Sequence, residues 1–265
     1  MSTYEPAESG FGHLPDHLAR ARRAGNKDKD AMARRFDPKR RGNDTAREGR
    51  SAPSSPHARQ ASTHTPSGRP VIYGFHAVIE ALKNPRRKAM VLHVTENALN
   101  RLNDALPRLP VPARLARPEE IDRLTGSGAV HQGIALEVDG LPAADLADLS
   151  GEGIVLVLDQ VTDPHNVGAI LRTAAAFAAE GVIVTERHAP DAIGVLAKTA
   201  SGGLEHVPLI EVGNLAQALV KLGDLGYWRV GLDSEGPEDL EKSLATGPVA
   251  LVLGAEGRGL RRLTR

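Results

Sequence analysis

The stretch Ile154-Val155-Leu156-Val157-Leu158 is a continuous apolar run, and it leads directly into the polar segment Asp159-Gln160-Val161-Thr162-Asp163-Pro164. Unbroken apolar runs of this length are typical of parallel strands that are covered on both faces. An alanine-rich segment over roughly 165–179 predicts a long helix that ends at Gly181, and 182–185 is the next predicted strand. This alternation indicates an α/β fold with an open, mostly parallel sheet and helices on both faces.

The same alternation continues to the end of the chain. The pattern predicts helices over 192–200 and 215–222, and strands over 207–212, 227–232 and 248–253. Ligands of open parallel sheets bind outside the carboxyl ends of the strands. Because the runs 154–158 and 249–253 both lead into unusual polar or glycine-rich segments, we expect the functional site at that edge.

A smaller α/β region is predicted before this sheet, over 69–140. Helical and extended patterns alternate within it, with predicted elements at 75–83, 89–94, 97–106, 113–116, 119–124 and 133–138. Residues 141–153 are predicted to be a linker, and 154–265 to be the main domain. The extension over 1–68 has few apolar residues and is predicted to be disordered. Its basic cluster, 34–41, is able to attract phosphate.

Composition excludes several classes of protein. The formal net charge is zero, and the absence of cysteine excludes disulfides, thiolate zinc sites and a cysteine nucleophile. No apolar run reaches the roughly 18 residues that span a bilayer, and the N-terminus lacks the basic-then-apolar order of a signal peptide. We therefore expect a cytoplasmic protein, with no membrane association and no metal site.

The first candidate functional segment runs from Asp159 to Gly168 and continues through Arg172. An arginine among small alanines leaves room for a substrate to approach closely. The alternative is structural: Asp163 or Asn166 caps the helix, and Arg172 pairs with a carboxylate.

The second segment is Gly254-Ala255-Glu256-Gly257-Arg258-Gly259-Leu260. Its three glycines allow the backbone to turn sharply and to approach a ligand, although a plain strand–helix turn has the same composition. The glycine spacing differs from that of a dinucleotide-binding fingerprint, and the Gly-Lys-Ser/Thr ending of a phosphate-binding loop is absent. A third segment, 198–208, indicates only a helix end followed by a strand.

Taken together and in this order, these segments resemble the SpoU (TrmH-type) family of RNA 2′-O-ribose methyltransferases. The stretches 163–174 and 254–260 match the family's first two motifs, and 200–208 resembles its linking segment. The stretches 73–78 and 130–135 resemble the two ends of its RNA-binding N-terminal domain. That pairing is most similar to bacterial 23S rRNA (guanosine-2′-O)-methyltransferases.

The resemblance implies transfer of a methyl group from S-adenosylmethionine to a ribose 2′-hydroxyl of RNA, without a metal. It assigns catalysis to Arg172, Asn166 and Glu256, and cofactor binding to Gly254, Glu256, Gly259 and Leu260. It also implies a homodimer and a SPOUT-like trefoil knot. The chain ends at Leu263-Thr264-Arg265, before the family's third motif, so we expect a truncated sequence with an incomplete knot.

Three other functions stay open at this point. An inactive RNA-binding protein on the same scaffold would retain the fold without transfer. A 2′-O-methyltransferase acting on tRNA would share every motif. A nucleotide-binding oxidoreductase would need a glycine-rich fingerprint after the first strand, where 159–168 offers one glycine.

Overall fold

The computed structural model describes residues 68–189, 192–234, 236–244 and 246–265. The disordered extension predicted over 1–68 lies outside these residues, apart from Gly68. The described chain forms two sheets, one within 71–138 and one within 154–254.

The first sheet has four strands and is mixed. Its elements are β1 (Val71–Tyr73), α1 (Phe75–Lys83), β2 (Ala89–Val94), α2 (Glu96–Ala105), β3 (Ala113–Leu115), α3 (Pro118–Thr125) and β4 (Ile134–Val138). The strand order is β1-β4-β2-β3, and β4 is antiparallel to both of its neighbours. Leu102 of α2 and Leu136 of β4 belong to one hydrophobic cluster, and Ile121 of α3 packs with Tyr73 and Ala135 in another.

The second sheet has five strands, and every neighbouring pair is parallel. Its elements are β5 (Ile154–Asp159), α4 (Pro164–Ala176), β6 (Gly181–Thr185), α5 (Ile193–Ala200), α6 (Gly203–His206), β7 (Leu209–Val212), α7 (Leu215–Asp224), β8 (Trp228–Leu232), α8 (Leu240–Ser243) and β9 (Val249–Gly254). The order is β7-β6-β5-β9-β8.

Helices cover both faces of this sheet, as predicted. Leu158 and Val182 pack with α4 and α5 on one face. Val157 and Ile183, which point the opposite way along the same strands, pack with α7. The predicted fold class is confirmed, whereas the knot stays a prediction.

The predicted end of the long helix was wrong. Helix α4 ends at Ala176, and Gly181 is the first residue of β6 and not the helix stop. Ala178 takes the left-handed turn (φ 50°) that glycine usually takes, and the N–H of Ala179 donates to the Ala174 carbonyl at 2.9 Å. The helix stops early because the chain must turn back into register with β5, where the Glu180 N–H bonds to the Ile154 carbonyl.

Three short elements were not predicted: β1, α6 and α8. The predicted linker 141–153 also contains a 3₁₀ turn, Leu146–Asp148, and a bridge from Ala144 to Ile210. Each of these elements is too short to show a periodicity of its own. Within the described ranges, no helix has both the length and the apolar composition needed to cross a membrane.

A polar network anchors the start of β5. One Glu180 oxygen accepts from the Tyr227 hydroxyl (2.8 Å) and the Ser150 N–H (2.8 Å), and the other accepts from the Gly153 N–H. Burial alone would raise the pKa of Glu180, but these hydrogen bonds outweigh it and hold that pKa below its usual value. Burial, aided by the bond to Glu180, raises the pKa of Tyr227 to about 12.

We expect Tyr227→Phe to lower the free energy of unfolding by about 1 kcal/mol, because a buried hydrogen bond is lost. Urea denaturation at neutral pH measures the change. The matched control is Tyr73→Phe, since the Tyr73 hydroxyl makes no hydrogen bond within the described residues; equal losses in the two variants would contradict the assignment. The wild-type advantage is fully present below pH 10.0, the ordinary pKa of tyrosine, and is lost as the pH rises to about 12.

Candidate active site

Strands β5 and β9 end side by side at one edge of the second sheet. They pair in parallel from Ile154 and Val249 to Asp159 and Gly254. The segment that follows β5 and the segment that follows β9 therefore leave the sheet at neighbouring points. The carboxyl edge predicted for the site is where the structure places both.

The first segment leads into α4, whose N-terminus is capped by Asp163. The Asp163 carboxylate accepts from the His165 N–H at 2.9 Å, and Pro164 is the first helical residue. The helix-cap alternative is thus correct for Asp163 and not for Asn166. Asn166 lies exposed on the first turn, and its side chain makes no hydrogen bond within the described residues, so its amide is available to a ligand.

Arg172 lies exposed on α4, six residues beyond Asn166. Among the residues the structure describes, no carboxylate pairs with Arg172, so the alternative of a structural ion pair is not supported. Its backbone is crowded: a Cβ added to Gly203 would lie 3.1 Å from the Arg172 Cα and 2.7 Å from the Leu171 carbonyl oxygen. The helix is thereby held in place while the guanidinium remains accessible.

The second segment folds back on itself as a tight loop. The Gly259 N–H donates to the Ala255 carbonyl at 2.9 Å, and Gly257 and Gly259 have φ of 79° and 62°. A Cβ added to Gly254 would lie 2.6 Å from the Leu260 nitrogen, so the close return of the loop requires glycine there. Glu256 is exposed at the loop tip, and Leu260 is buried.

Sequence reasoning missed Asp159, the fully buried last residue of β5. Its carboxylate accepts from the Arg261 backbone N–H (2.9 Å) and from Arg261 Nε (2.6 Å). This pair joins the start of the first segment to the end of the second. The sequence did contain a signal, since Asp159 directly continues the apolar run of β5. A carboxylate in such a position is buried, and a buried carboxylate requires a partner.

The third segment contributes contacts that its sequence did not indicate. A Cβ added to Gly168 of α4 would lie 3.0 Å from both the Ala200 nitrogen and the Leu196 carbonyl oxygen, so the backbones of α4 and α5 pack closely there. Lys198 Nζ donates to Gln132 Oε1 at 3.0 Å, and the same oxygen accepts from the Phe75 N–H at 2.9 Å. Burial lowers the pKa of Lys198.

The segments that carry the predicted site residues start from neighbouring strand ends, but their side chains do not bond to one another. Within the described residues, no hydrogen bond or ion pair joins Asn166, Arg172 and Glu256. A cavity of about 520 Å³ lies beyond β8, lined by 230–234, 236–240 and Ser243. No group of metal-ligating side chains is found in the part of the chain that the structure describes.

Two family models match the chain in sequence order. Residues 71–144 match "RNA 2'-O ribose methyltransferase substrate binding", and residues 153–265 match the "SpoU rRNA Methylase family".

Several characterised proteins are similar over most of the chain. The 23S rRNA (guanosine-2'-O-)-methyltransferases RlmB of Ralstonia nicotianae and Photorhabdus laumondii are 38% and 40% identical, over 74% of this chain and 82% and 84% of their own lengths. The SpoU methyltransferase AviRb of Streptomyces viridochromogenes, solved with the cofactor AdoMet, superposes with a TM-score of 0.64 at 21% identity, covering 78% of this chain and 82% of that one. That likeness concerns the fold alone. On the family matches and these identities, the chain belongs to the SpoU family of RNA 2′-O-ribose methyltransferases.

Proposed function

We propose that this protein transfers the methyl group of S-adenosylmethionine to the ribose 2′-hydroxyl of a guanosine in 23S rRNA. The observation that carries the proposal is the junction at the carboxyl edge, where Asp159 and Gly254 lie in register and send both motif segments outward together. The names of the relatives that are 38% and 40% identical support the choice of 23S rRNA over tRNA.

The residues at this edge fit the cofactor. The cofactor carries a sulfonium and an ammonium group, and three acidic residues, Asp233, Glu238 and Asp239, line the cavity beyond β8, although the Asp233 carboxylate also pairs with Arg265 at 2.7 Å. The tight loop of Gly254 and Gly259 leaves β9, which lies next to β8 in the sheet, and its Leu260 side chain packs close to Gly231, a residue that lines the cavity. We assign cofactor binding to Gly254, Glu256, Gly259 and Leu260. The cofactor, when bound, supplies an electrophilic methyl group.

Arg172 is the proposed catalytic centre of the reaction on the ribose. Its guanidinium is exposed and has no carboxylate partner among the described residues, so its charge is available to an incoming ribose and phosphate. A guanidinium stays protonated in proteins and is therefore a poor general base. We therefore assign Arg172 to stabilising the negative charge that develops on the 2′-oxygen while the hydroxyl proton passes to water, with proton abstraction by Arg172 as the variant mechanism.

Asn166 and Glu256 are proposed to orient the reacting groups. Asn166 lies on the first turn of α4 with its amide unused, which suits it to hydrogen-bond the substrate. Glu256 lies at the tip of the loop after β9, where it is able to anchor that loop against substrate or cofactor. Both roles depend on bound ligands, since no bond joins the two side chains.

The region 71–138 is proposed to bind the RNA, and the substrate-binding family model covers it. Proteins recognise RNA by its shape and its exposed bases, and the 2′-hydroxyl distinguishes an RNA strand from DNA. We also propose that the protein acts as a homodimer in the cytoplasm. Light scattering of the purified full-length chain tests the dimer: twice the chain mass is expected, and a monomer would contradict it.

We expect Arg172→Ala in the full-length protein to reduce methyl transfer at least about 100-fold, because oxyanion-type stabilisation is lost. Transfer of labelled methyl from the cofactor to 23S rRNA transcribed in vitro measures the effect. Lys221→Ala, which removes one positive charge from exposed α7, is the matched control and should retain activity. Wild-type turnover by Arg172→Ala would refute the assignment. An inactive wild type that still binds RNA would favour the non-catalytic RNA-binding alternative.

Gly254→Ala should weaken cofactor binding by at least about 10-fold, because the added Cβ would lie 2.6 Å from the Leu260 nitrogen and displace the loop. Calorimetric titration with S-adenosylmethionine measures the dissociation constant. Gly140→Ala is the control, since its Cβ would meet nothing within 4 Å. Unchanged affinity in Gly254→Ala would exclude this loop as a cofactor site.

A further inference from the structure

Helix α6 is wedged between α1 and α4. On one side, a Cβ added to Gly203 would lie 2.7 Å from the Leu171 carbonyl oxygen and 3.1 Å from the Arg172 Cα. On the other side, a Cβ added to Gly202 would lie 2.6 Å from Glu80 Cγ of α1. The backbone at these two glycines therefore packs closely against the Glu80 side chain of α1 on one side and against the backbone that carries Arg172 on the other.

A buried ion pair holds α6 against the RNA-binding region. Arg87, in the turn after α1, contacts Glu205 of α6 at 2.6 Å (Nη2 to Oε1), and the two side chains are 1% and 2% exposed. Arg87 Nε lies 3.2 Å from both carboxylate oxygens. Asn84 Nδ2 donates to Glu205 Oε2 at 2.8 Å, and Arg87 Nη1 donates to the Asp139 carbonyl at 3.2 Å.

Further polar contacts gather on the same element, which we call the elbow (198–206). His206 Nε2 lies 3.0 Å from Glu80 Oε2, and Lys198 Nζ donates to Gln132 Oε1 at 3.0 Å. Apolar packing also joins the two regions, since α1, α4 and α5 share one hydrophobic cluster. Apolar contact is non-directional, whereas a forked arginine–carboxylate pair has a defined geometry. The buried pair therefore constrains orientation more tightly than the apolar packing does, alongside the exposed polar contacts of Lys198 and His206.

We propose that Arg87 and Glu205 are positioning residues for methyl transfer. Their ion pair fixes the RNA-binding region against the elbow, and the elbow fixes the backbone of α4 at Arg172. RNA held by the region 71–138 is thereby presented to the guanidinium at a set distance. The inference rests on the proposed function. Small displacements of reacting groups have large effects on rate, which makes this constraint measurable.

The test replaces both charges together, as Arg87→Met with Glu205→Leu. Apolar replacement of a whole buried pair leaves no unpaired charge and commonly preserves stability. We expect a melting temperature near that of the wild type and an unchanged dissociation constant for S-adenosylmethionine. The kcat for 23S rRNA transcribed in vitro should fall by at least about 10-fold, because misplacement by about 1 Å can cost 100-fold.

The orientation of the two regions provides a second readout. The chain contains no cysteine, so spin labels attach only at introduced sites. Asn100→Cys on α2 and Asp224→Cys on α7 are both exposed positions. The distribution of distances between the labels should be narrow in the wild-type background and broader in the double variant. If the double variant does not fold, Arg87→Lys replaces it, because lysine keeps the charge and loses the fork.

The matched control is a pair that lies within one region only. The Tyr227 hydroxyl donates to Glu180 Oε2 at 2.8 Å, and both residues lie within 153–265, in the network at the start of β5 and not at the carboxyl edge. Tyr227→Phe should keep kcat and the narrow distance distribution.

Two results would overturn the proposal. One is a folded double variant, or a folded Arg87→Lys variant, with wild-type kcat and a narrow distance distribution. The other is an equal fall of kcat in the Tyr227→Phe control. Failure of the proposed function can be told apart from failure of this proposal. In the first case the wild type shows no methyl transfer, and the distance measurement still decides whether the pair orients the two regions.

Discussion

The parallel pairing of β5 with β9 is the constraint on which the rest of the structure depends. Both strands are apolar along their length, so they occupy the middle of the sheet with helices on both faces. Their register places Asp159 beside Gly254. Two segments separated by about ninety residues of sequence therefore leave the sheet together. The Asp159–Arg261 pair then fastens the loop that returns after Gly254.

Helix α4 follows β5 and carries two of the proposed site residues, Asn166 and Arg172. It starts with a capped turn at Asp163 and carries Asn166 and Arg172 outward, while Val167 and Leu171 face the core. Close contact with α5 at Gly168 and with α6 at Gly203 holds its backbone. The α4 backbone is consequently fixed, and the polar side chains on its outer face remain open to a ligand. Pre-organisation of this kind reduces the reorganisation needed when charge develops in a transition state.

Burying the Arg87–Glu205 pair costs desolvation free energy that apolar side chains would not cost. The pair therefore contributes little net stability relative to apolar residues of the same size. The pair instead defines a geometry, because Nε and Nη2 of Arg87 donate to the two oxygens of one carboxylate. The pair lies between the turn after α1 and the helix that touches the Arg172 backbone. It therefore joins the part of the chain matched by the substrate-binding model to the part matched by the methylase model.

Elements with a local signal were predictable. Helix α1 was predicted at 75–83 and lies there, because its apolar spacing is contained in nine residues. Strand β1 was missed because three residues carry no period, and it exists only through pairing with β4. The end of α4 was misplaced because Ala178 takes a left-handed turn imposed by the pairing of β6 with β5.

The sequence by itself determined the fold class, the two motif segments and the residues expected to act, because these depend on local periodicity and on side-chain chemistry. Only the tertiary structure decided that Asp159 is tied to Arg261, that Arg87 meets Glu205, and that α6 rests on the backbone of Arg172. These contacts join residues that are far apart in the chain. A buried charge requires a partner, but its own sequence neighbourhood does not specify which one.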